Sequence, residues 1–408
     1  MHTVGGQDPG DTGAVRRGSR CLGFLVGATL LLAGCAAAPG PGSPPASGSP
    51  PGWTQVTLPE GAQPVTLTTY GAGVLVGGLA PGGRVLPRIV ELTAGGVATQ
   101  VPLTPVSGYA FEARWLSIAT DGTRIVGVGG APGGAHSNTR WTTWAGSTAG
   151  VAETPQVFYA FGGWGAGEQI GAVMTSAGTL LVGSWEGALA GLDAAVWLPE
   201  VDTWVRQDPA GTALQSTPRL LVGPRSATAS GAGVALPGSA IHLAPGSVRQ
   251  LAALWRSQRL NEGWSRLDLP DAGSTSEAVS ARCGEGTCLV AGRVDGNLAL
   301  WSVSGPLALR VPGLPEVPVE PTGRVPQPLL VHGRQVLVAS TGTAAGTGTP
   351  TGGTRVALLV RSDLGWTLAP GPPGGAVDAA LAGDWLYVVA TSPGAPAQLW
   401  RYDVRQLA

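Results

Sequence analysis

Two aromatic segments of similar sequence carry the residues best suited to binding chemistry. They read Tyr109-Ala110-Phe111-Glu112-Ala113-Arg114-Trp115 and Tyr159-Ala160-Phe161-Gly162-Gly163-Trp164. Aromatic faces beside carboxylates and arginines suit sugar rings or peptide segments. We therefore predict a candidate ligand face, and its members are Tyr109, Phe111, Glu112, Arg114, Tyr159, Phe161, Trp164, Trp185 and Glu186. The alternative is that these rings only fill gaps between neighbouring structural units.

Two cysteines, Cys283 and Cys288, flank the glycine-rich turn of a predicted hairpin. In an exported protein this spacing favours a short disulfide bond that staples the hairpin. So small a loop would add only about 2 kcal/mol to the free energy of unfolding in the loop-entropy model. Redox catalysis is the alternative, although its usual motif places two residues between the cysteines and this sequence places four.

The histidines do not form a recognisable metal site. His136, His242 and His332 are far apart in sequence, and none has a Cys or His partner at ligand spacing. A site assembled from distant parts of the chain around a central axis stays open as an alternative. We predict no catalytic residue, no cofactor and no metal ligand.

Composition excludes some classes of function. The formal net charge is -1 and charged residues make up 12% of the 408-residue chain, so no basic surface is available for nucleic acid. The 66 Gly and 35 Pro residues interrupt the chain too often for long helices. Many short strands joined by turns are expected.

The N-terminal region, residues 1–35, has the order of features of an export signal. Arg16, Arg17 and Arg20 precede an apolar run over residues 21–34, which ends at Leu32-Ala33-Gly34-Cys35. That tetrapeptide resembles the bacterial lipobox, and the resemblance implies that Cys35 carries a diacylglycerol and becomes the first residue of the mature protein. The expected location is the extracytoplasmic face of the cell membrane. The alternative is an ordinary cleaved signal peptide, and the paired arginines leave the export route open.

Residues 36–52 are rich in Pro, Gly and Ser and contain almost nothing to bury in a core. We predict a disordered tether, extended by its prolines, between the lipid anchor and a folded domain over residues 53–408.

A repeat through residues 53–408 predicts the fold. An apolar strand that ends in small residues recurs at intervals of 48 to 54 residues. Its seven copies cover residues 74–77, 126–129, 180–183, 234–237, 288–291, 336–339 and 386–389. Four strands in a unit of about 50 residues are typical of a β-propeller blade.

The sequence thus predicts an all-β, seven-bladed β-propeller of four-stranded antiparallel blades. Trp197, Trp255, Trp301 and Trp400 recur in the third strands and should pack between blades. The last unit stops before its fourth strand, whereas the segment Trp53–Pro59 has no unit of its own. We therefore expect the N-terminal strand to complete the last blade and close the ring.

Segments near Trp204, Trp264 and Trp366 resemble the turns of kelch and sialidase-type Asp-box propellers, although none is a complete Asp-box. The resemblance implies architecture and not activity. We expect a monomeric, non-enzymatic binding or scaffold protein for an envelope protein, peptide or glycan. The alternative is a carbohydrate-active enzyme of the sialidase type, which needs an arginine cluster, a tyrosine paired with glutamate and an acid/base aspartate.

Overall fold

A computed structural model describes residues 50–407, apart from 83–84, 135–137, 163–166, 285 and 343–353. The predicted signal peptide with Cys35, and the part of the predicted tether before residue 50, lie outside the described residues. The described chain is mostly β-strand, with one short α-helix, α1 (Phe158–Phe161), and 3-10 turns at Pro59–Gly61, Ala110–Glu112 and Val404–Leu407. None of these helices is long and apolar enough to cross a membrane.

The strands form seven sheets, which confirms the predicted seven-bladed propeller. In chain order the strands are β1 (Trp53–Val56), β2 (Gln63–Tyr70), β3 (Gly73–Leu79), β4 (Pro87–Leu92), β5 (Ala98–Val101), β6 (Leu103–Thr104), β7 (Arg114–Thr120), β8 (Ile125–Ala131), β9 (Arg140–Ser147), β10 (Gly150–Thr154), β11 (Gly167–Thr175), β12 (Gly178–Glu186), β13 (Leu192–Glu200), β14 (Thr203–Arg206), β15 (Leu220–Pro224), β16 (Thr228–Ser230), β17 (Gly233–Ala244), β18 (Ser247–Arg256), β19 (Ser265–Asp268), β20 (Ser276–Gly284), β21 (Thr287–Val294), β22 (Asn297–Ser304), β23 (Leu307–Arg310), β24 (Leu329–Val331), β25 (Arg334–Thr341), β26 (Arg355–Ser362), β27 (Gly365–Pro373), β28 (Gly375–Ala382), β29 (Trp385–Thr391) and β30 (Gln398–Asp403).

Each blade runs outward from the central axis in strand order. Blade 1 is β2-β3-β4-β5, blade 3 is β11-β12-β13-β14 and blade 5 is β20-β21-β22-β23. Blade 2 is β7 to β10 with the short β6 added in parallel at its outer edge. The first strand of blade 4 is split into β15 and β16, which both pair with β17 ahead of β18 and β19. Blade 6 is β24 to β27, and blade 7 is β28, β29, β30 and β1.

The second strands are apolar because both of their faces are covered by neighbouring blades. Val74 and Val76 are fully buried and share a core cluster with Tyr387 and Val389 of blade 7. Gly77 lies in the same strand where space is short: a Cβ atom there would lie 2.8 Å from the Ile118 side chain of blade 2. The small residues that mark the repeat therefore allow adjacent sheets to approach closely.

The N-terminal strand closes the ring, as the sequence predicts. β1 pairs antiparallel with β30, with Trp53 opposite Tyr402 and Val56 opposite Leu399. Trp53 is 4% exposed and lies in a core cluster built from blades 6 and 7. The pairing covers the outer edge that blade 7 would otherwise expose.

Antiparallel alternation gives the ring two faces with different connections. The face that we call upper carries the connections between blades and the loops from second to third strands. The lower face carries the tight turns from first to second and from third to fourth strands. Because β1 is a fourth strand, the chain enters the propeller at Trp53 on the lower face.

Candidate functional site

The candidate site is a groove on the upper face, at blades 2 and 3. It lies between the connection that precedes β7 and the connection that contains α1, beside the start of β9. We call it the aromatic groove. Its volume is about 250 Å³, and the side chains used below are Ser107, Tyr109, Arg140, Glu153, Gln156, Phe158 and Phe161.

A buried carboxylate holds the first wall of the groove in place. Glu153 is 7% exposed, and its Oε2 accepts the backbone N–H groups of Val106 at 2.7 Å and Ser107 at 2.6 Å. The Ser107 hydroxyl donates to Oε1 at 2.7 Å. Three donors compensate the cost of burying this charge. The turn that carries Tyr109 is thereby fixed to the outer strand of blade 2.

An amide side chain fixes the second wall. Gln156 donates from Nε2 to the carbonyl oxygen of Thr154 at 2.8 Å, and its Oε1 accepts the backbone N–H of Trp204 at 2.9 Å. The indole N–H of Trp197 donates to the carbonyl oxygen of Ala160 at 2.7 Å, within α1. These bonds tie the connection between blades 2 and 3 to blade 3, and so position Phe158.

The lining combines aromatic rings with one guanidinium group. The Arg140 guanidinium lies over the Tyr109 ring, 5.8 Å from its centroid, which is a cation–π arrangement. Arg140 Nε is buried and has no hydrogen-bond partner among the described residues. Phe158 and Tyr159 contact each other edge to face at 5.6 Å, and both are exposed. The groove therefore offers aromatic surface beside a positive charge.

The structure places most of the predicted ligand-face residues on the upper face. Those that are exposed there are Tyr109, Phe111, Glu112, Arg114, Tyr159 and Glu186. Phe161 is partly buried, because it lines the groove with one side and contacts the Trp197 ring at 5.7 Å with the other. Trp164 lies outside the described residues.

Trp185 is a correction to the predicted surface cluster. It is 2% exposed and packs edge to face against Trp197 at 5.1 Å, inside the core between blades 2 and 3. Strand β12 continues to Glu186, further than the sequence indicates, so Trp185 alternates inward instead of belonging to a loop. The gap-filling alternative therefore holds for Trp185 and for part of Phe161.

Two groove residues escaped the sequence analysis. Phe158 directly precedes Tyr159, and Arg140 begins the third strand of blade 2. A signal existed for Phe158, because Val157 and Phe158 extend the aromatic segment into an exposed apolar run. The sequence around Arg140 does not indicate a binding role, because only the fold brings this residue beside Tyr109.

The central channel is a second possible site, of about 560 Å³, lined by the first strands. Its lining is polar, with hydroxyl groups from Thr66, Thr68, Ser117 and Ser280 among others. Asp378 lies there, and its Oδ2 accepts hydrogen bonds from Thr66 Oγ1 and the Leu67 backbone N–H, both at 2.8 Å. Burial raises the pKa of this carboxyl group, and those hydrogen bonds oppose the shift.

Three arginines line the channel, which bears on the sialidase-type alternative. They are Arg225, Arg282 and Arg324. Arg225 already pairs with the buried Glu277 at 2.7 Å, so it is not free for a substrate carboxylate. Among the described channel residues there is neither tyrosine nor glutamate to form the required nucleophile pair. Tyr387 is fully buried in the core instead.

Of the cysteines and histidines considered in the sequence analysis, those that the structure describes do not line the groove. Cys283 and Cys288 face each other across the β20–β21 hairpin with their sulfur atoms 2.00 Å apart, as a disulfide bond. His242 is in β17 and His332 is in the turn before β25, whereas His136 lies outside the described residues. In the part of the chain that the structure describes, no three His, Cys, Asp or Glu side chains are grouped as metal ligands would be.

Comparisons with known proteins identify the class of fold only. No family model and no curated protein matches the chain. A puromycin hydrolase mutant complexed with PGG matches with a TM-score of 0.50 and 12% identity, over 84% of this chain and 52% of that one. The β-propeller domain of the Trilobed protease from Pyrococcus furiosus matches with a TM-score of 0.49 and 10% identity, over 84% and 94% of the two chains.

A Trypanosoma rangeli sialidase in complex with the inhibitor DANA has a TM-score of 0.42 and 12% identity to this chain, over 86% of this chain and 56% of the sialidase. This chain thus spans only about half of the sialidase and of the puromycin hydrolase. At such low identity the likeness extends to the β-propeller fold and not to an activity.

Proposed function

We propose that this protein is a lipid-anchored, extracytoplasmic binding protein whose aromatic groove holds a segment of an envelope protein, peptide or glycan. The observation that carries the proposal is the exposure of Tyr109, Phe111, Phe158 and Tyr159 around a groove whose walls are fixed by Glu153 and Gln156. Large rings held rigidly at a surface bind with little loss of conformational entropy.

The polar groups of the groove support binding and not catalysis. Glu153 is the carboxylate among the described lining residues, and all three of its hydrogen bonds serve the backbone and hydroxyl of the adjacent turn. A general acid or base needs a reachable, exchangeable proton. Arg140 instead offers a fixed positive charge that can orient a carbonyl, carboxylate or hydroxyl group of a ligand.

The expected anchor is consistent with this role. The lipobox-like segment predicts a lipid on Cys35, and the chain enters the propeller on the lower face at Trp53. A lipid attached through the tether therefore leaves the upper face, with its groove, directed away from the attachment point. Such an arrangement suits a protein that presents a binding surface to other envelope molecules.

The anchor is tested by Cys35→Ser, with Cys21→Ser as the matched control within the same signal region. We expect Cys35→Ser to abolish incorporation of a labelled fatty acid and to move the protein out of the membrane fraction. Cys21→Ser should change neither. Lipid incorporation that persists in Cys35→Ser would refute the anchor assignment.

The groove is tested by binding of a soluble chain that begins at Ala36 to glycan arrays and to arrays of envelope-protein peptides. The double variant Tyr109→Ala/Phe158→Ala should lose at least about tenfold in affinity, because aromatic anchors dominate such interfaces. Its matched control is Val201→Ala/Leu364→Ala, which removes two fully exposed apolar side chains from lower-face turns. Equal loss in both variants, or no loss in either, would contradict the proposed site.

A further inference from the structure

A second cavity opens on the upper face, at blades 3 and 4. It lies between the loop that joins β12 to β13 and the connection that follows β14, and its volume is about 560 Å³. The polar side chains that line it are Glu186, Asp193, Arg206, Gln207, Asp208 and Gln215. This volume is within the range of sites for small molecules.

The side chains of this polar pocket are fixed in place by the backbone. Asp193 Oδ1 accepts the Ser216 N–H at 2.6 Å, and Asp208 Oδ1 accepts the Ala210 N–H at 2.9 Å. Gln215 Oε1 accepts the Gly211 N–H at 3.0 Å. Each of these side chains thus uses one polar atom in a hydrogen bond to the backbone, and each has a second polar atom for which no such bond is described. That arrangement is a preorganised set of acceptors and donors.

Arg206 contributes a cation whose hydrogen bonds are incomplete. Its Nη2 donates to the carbonyl oxygen of Glu186 at 3.2 Å, whereas its Nε is buried and finds no hydrogen-bond partner in the described part of the chain. In the described structure no ion pair joins Arg206 to Asp193, although Asp193 is only 1% exposed and lines the same pocket. Burial lowers the pKa of Arg206 and raises the pKa of Asp193, as expected for charges that lack a close partner.

Gly187 packs directly against the buried carboxylate of Asp193. A Cβ atom on Gly187 would lie 2.6 Å from Asp193 Oδ1 and 2.8 Å from Oδ2. Any larger residue would therefore clash with the carboxylate. Buried polar groups with incomplete hydrogen bonding are costly, and Arg206 and Asp193 both line the cavity, so a ligand that pairs with them there would be stabilised.

The mixture of groups selects the class of ligand. An anion would face the carboxylates of Asp193 and Asp208, and a cation would face the guanidinium of Arg206, which both carboxylates influence. A neutral group that both donates and accepts hydrogen bonds can pair with the two carboxylates and with the guanidinium. Two adjacent hydroxyls of a sugar do so, because each can donate to a carboxylate while it accepts from the guanidinium. We propose that the polar pocket binds a neutral sugar residue through a vicinal diol.

The test uses the soluble chain from Ala36 and the methyl glycosides of galactose, mannose, glucose and arabinose as probes. Saturation-transfer NMR and calorimetric titration should detect saturable binding of at least one of them. Asp208→Asn and Arg206→Ala should each weaken that binding by at least about tenfold, since each removes a hydrogen bond to a charged group. Asp208 is exposed, so its isosteric change should leave the fold intact.

Two control variants distinguish binding in the polar pocket from binding elsewhere on the propeller. Asp202→Asn makes the same chemical change on a lower-face turn of blade 3 and should not alter binding. Phe158→Ala changes the aromatic groove and should also have no effect, so the two proposals fail independently. The sugar assignment is overturned if no glycoside binds, if binding is unchanged in Asp208→Asn and Arg206→Ala, or if spermidine or citrate binds there more tightly than every glycoside.

Discussion

Single tryptophans fasten the connections between blades. The indole N–H groups of Trp197, Trp255 and Trp301 donate to carbonyl oxygens of Ala160, Ala213 and Pro270, at 2.7 to 2.9 Å. Each acceptor belongs to the connection that leads into the tryptophan's own blade. The sequence predicts these rings as packing residues, but the repeated hydrogen bond depends on loop geometry that the repeat does not encode.

Replacement of Trp197 by Phe tests this hydrogen bond. The variant keeps an aromatic ring but leaves the buried Ala160 carbonyl oxygen without its donor, which should cost about 1–3 kcal/mol. Trp400→Phe is the matched control, because the Trp400 N–H is buried and no described residue accepts a hydrogen bond from it. Urea unfolding followed by circular dichroism should show the larger loss for Trp197→Phe. Equal losses would mean that ring volume alone matters.

Asp378 should make stability depend on pH. Burial raises its pKa above the usual 3.8, so the folded state keeps this proton to higher pH than the unfolded state does. The free energy of unfolding contributed by Asp378 is therefore largest below pH 3.8 and falls as pH rises through the folded pKa. Asp378→Asn lacks this dependence, so its stability relative to wild type should rise with pH in urea titrations from pH 4 to 8. A difference that is constant over this range would contradict the assignment.

At the scale of elements, β1 is the strand on which closure depends. Trp53→Ala should lower the free energy of unfolding by about 3–5 kcal/mol, because a large ring leaves the core between blades 6 and 7. Thr54→Ala in the same strand is the control, since Thr54 is exposed. Thermal unfolding of the two variants measures the effect, and similar melting temperatures would show that β1 contributes little to the ring.

The second strands and the ring closure could be predicted from sequence because they are apolar, regularly spaced and bounded by small residues. The first strands could not be predicted in detail. They face a polar channel, so their hydrophobic alternation is weak, and most carry a bulge, as between Ala376 and Asp378. The first strand of blade 4 is split around residues 225–227, directly after Pro224, and the repeat alone does not predict this interruption.

For the candidate site, the sequence predicts the sector but not its geometry. The aromatic segments indicate the connections around blade 2 correctly, because fourth-to-first-strand connections share one face of a propeller. The sequence does not place Trp185 and Arg140 correctly. Trp185 points into the core near the end of β12, and Arg140 contacts Tyr109 from the start of β9. Both facts depend on where strands end, which sequence patterns locate least well.

For the whole molecule, the proposed anchor predicts an orientation: the chain enters the ring at Trp53 on the lower face, so this face should be held nearer the membrane than the face with the groove. Strands of seven to nine residues separate the two faces by about 25–30 Å. In lipid vesicles carrying an energy acceptor, a fluorophore on Asp202→Cys of the lower face should transfer more efficiently than one on Ala188→Cys of the upper face. Equal transfer from both positions would refute this orientation.

The pairing of β1 with β30 also sets the order in which the protein can mature. During synthesis the chain emerges from its N-terminus, so β1 is the first propeller strand to leave the ribosome and β30 is the last. β1 must wait, unpaired, while nearly all of the blades are made, and contacts so distant in sequence form slowly. A nascent chain that stalls before β30 therefore has six blades and an open seventh, and its exposed strands are the form that chaperones and proteases would meet.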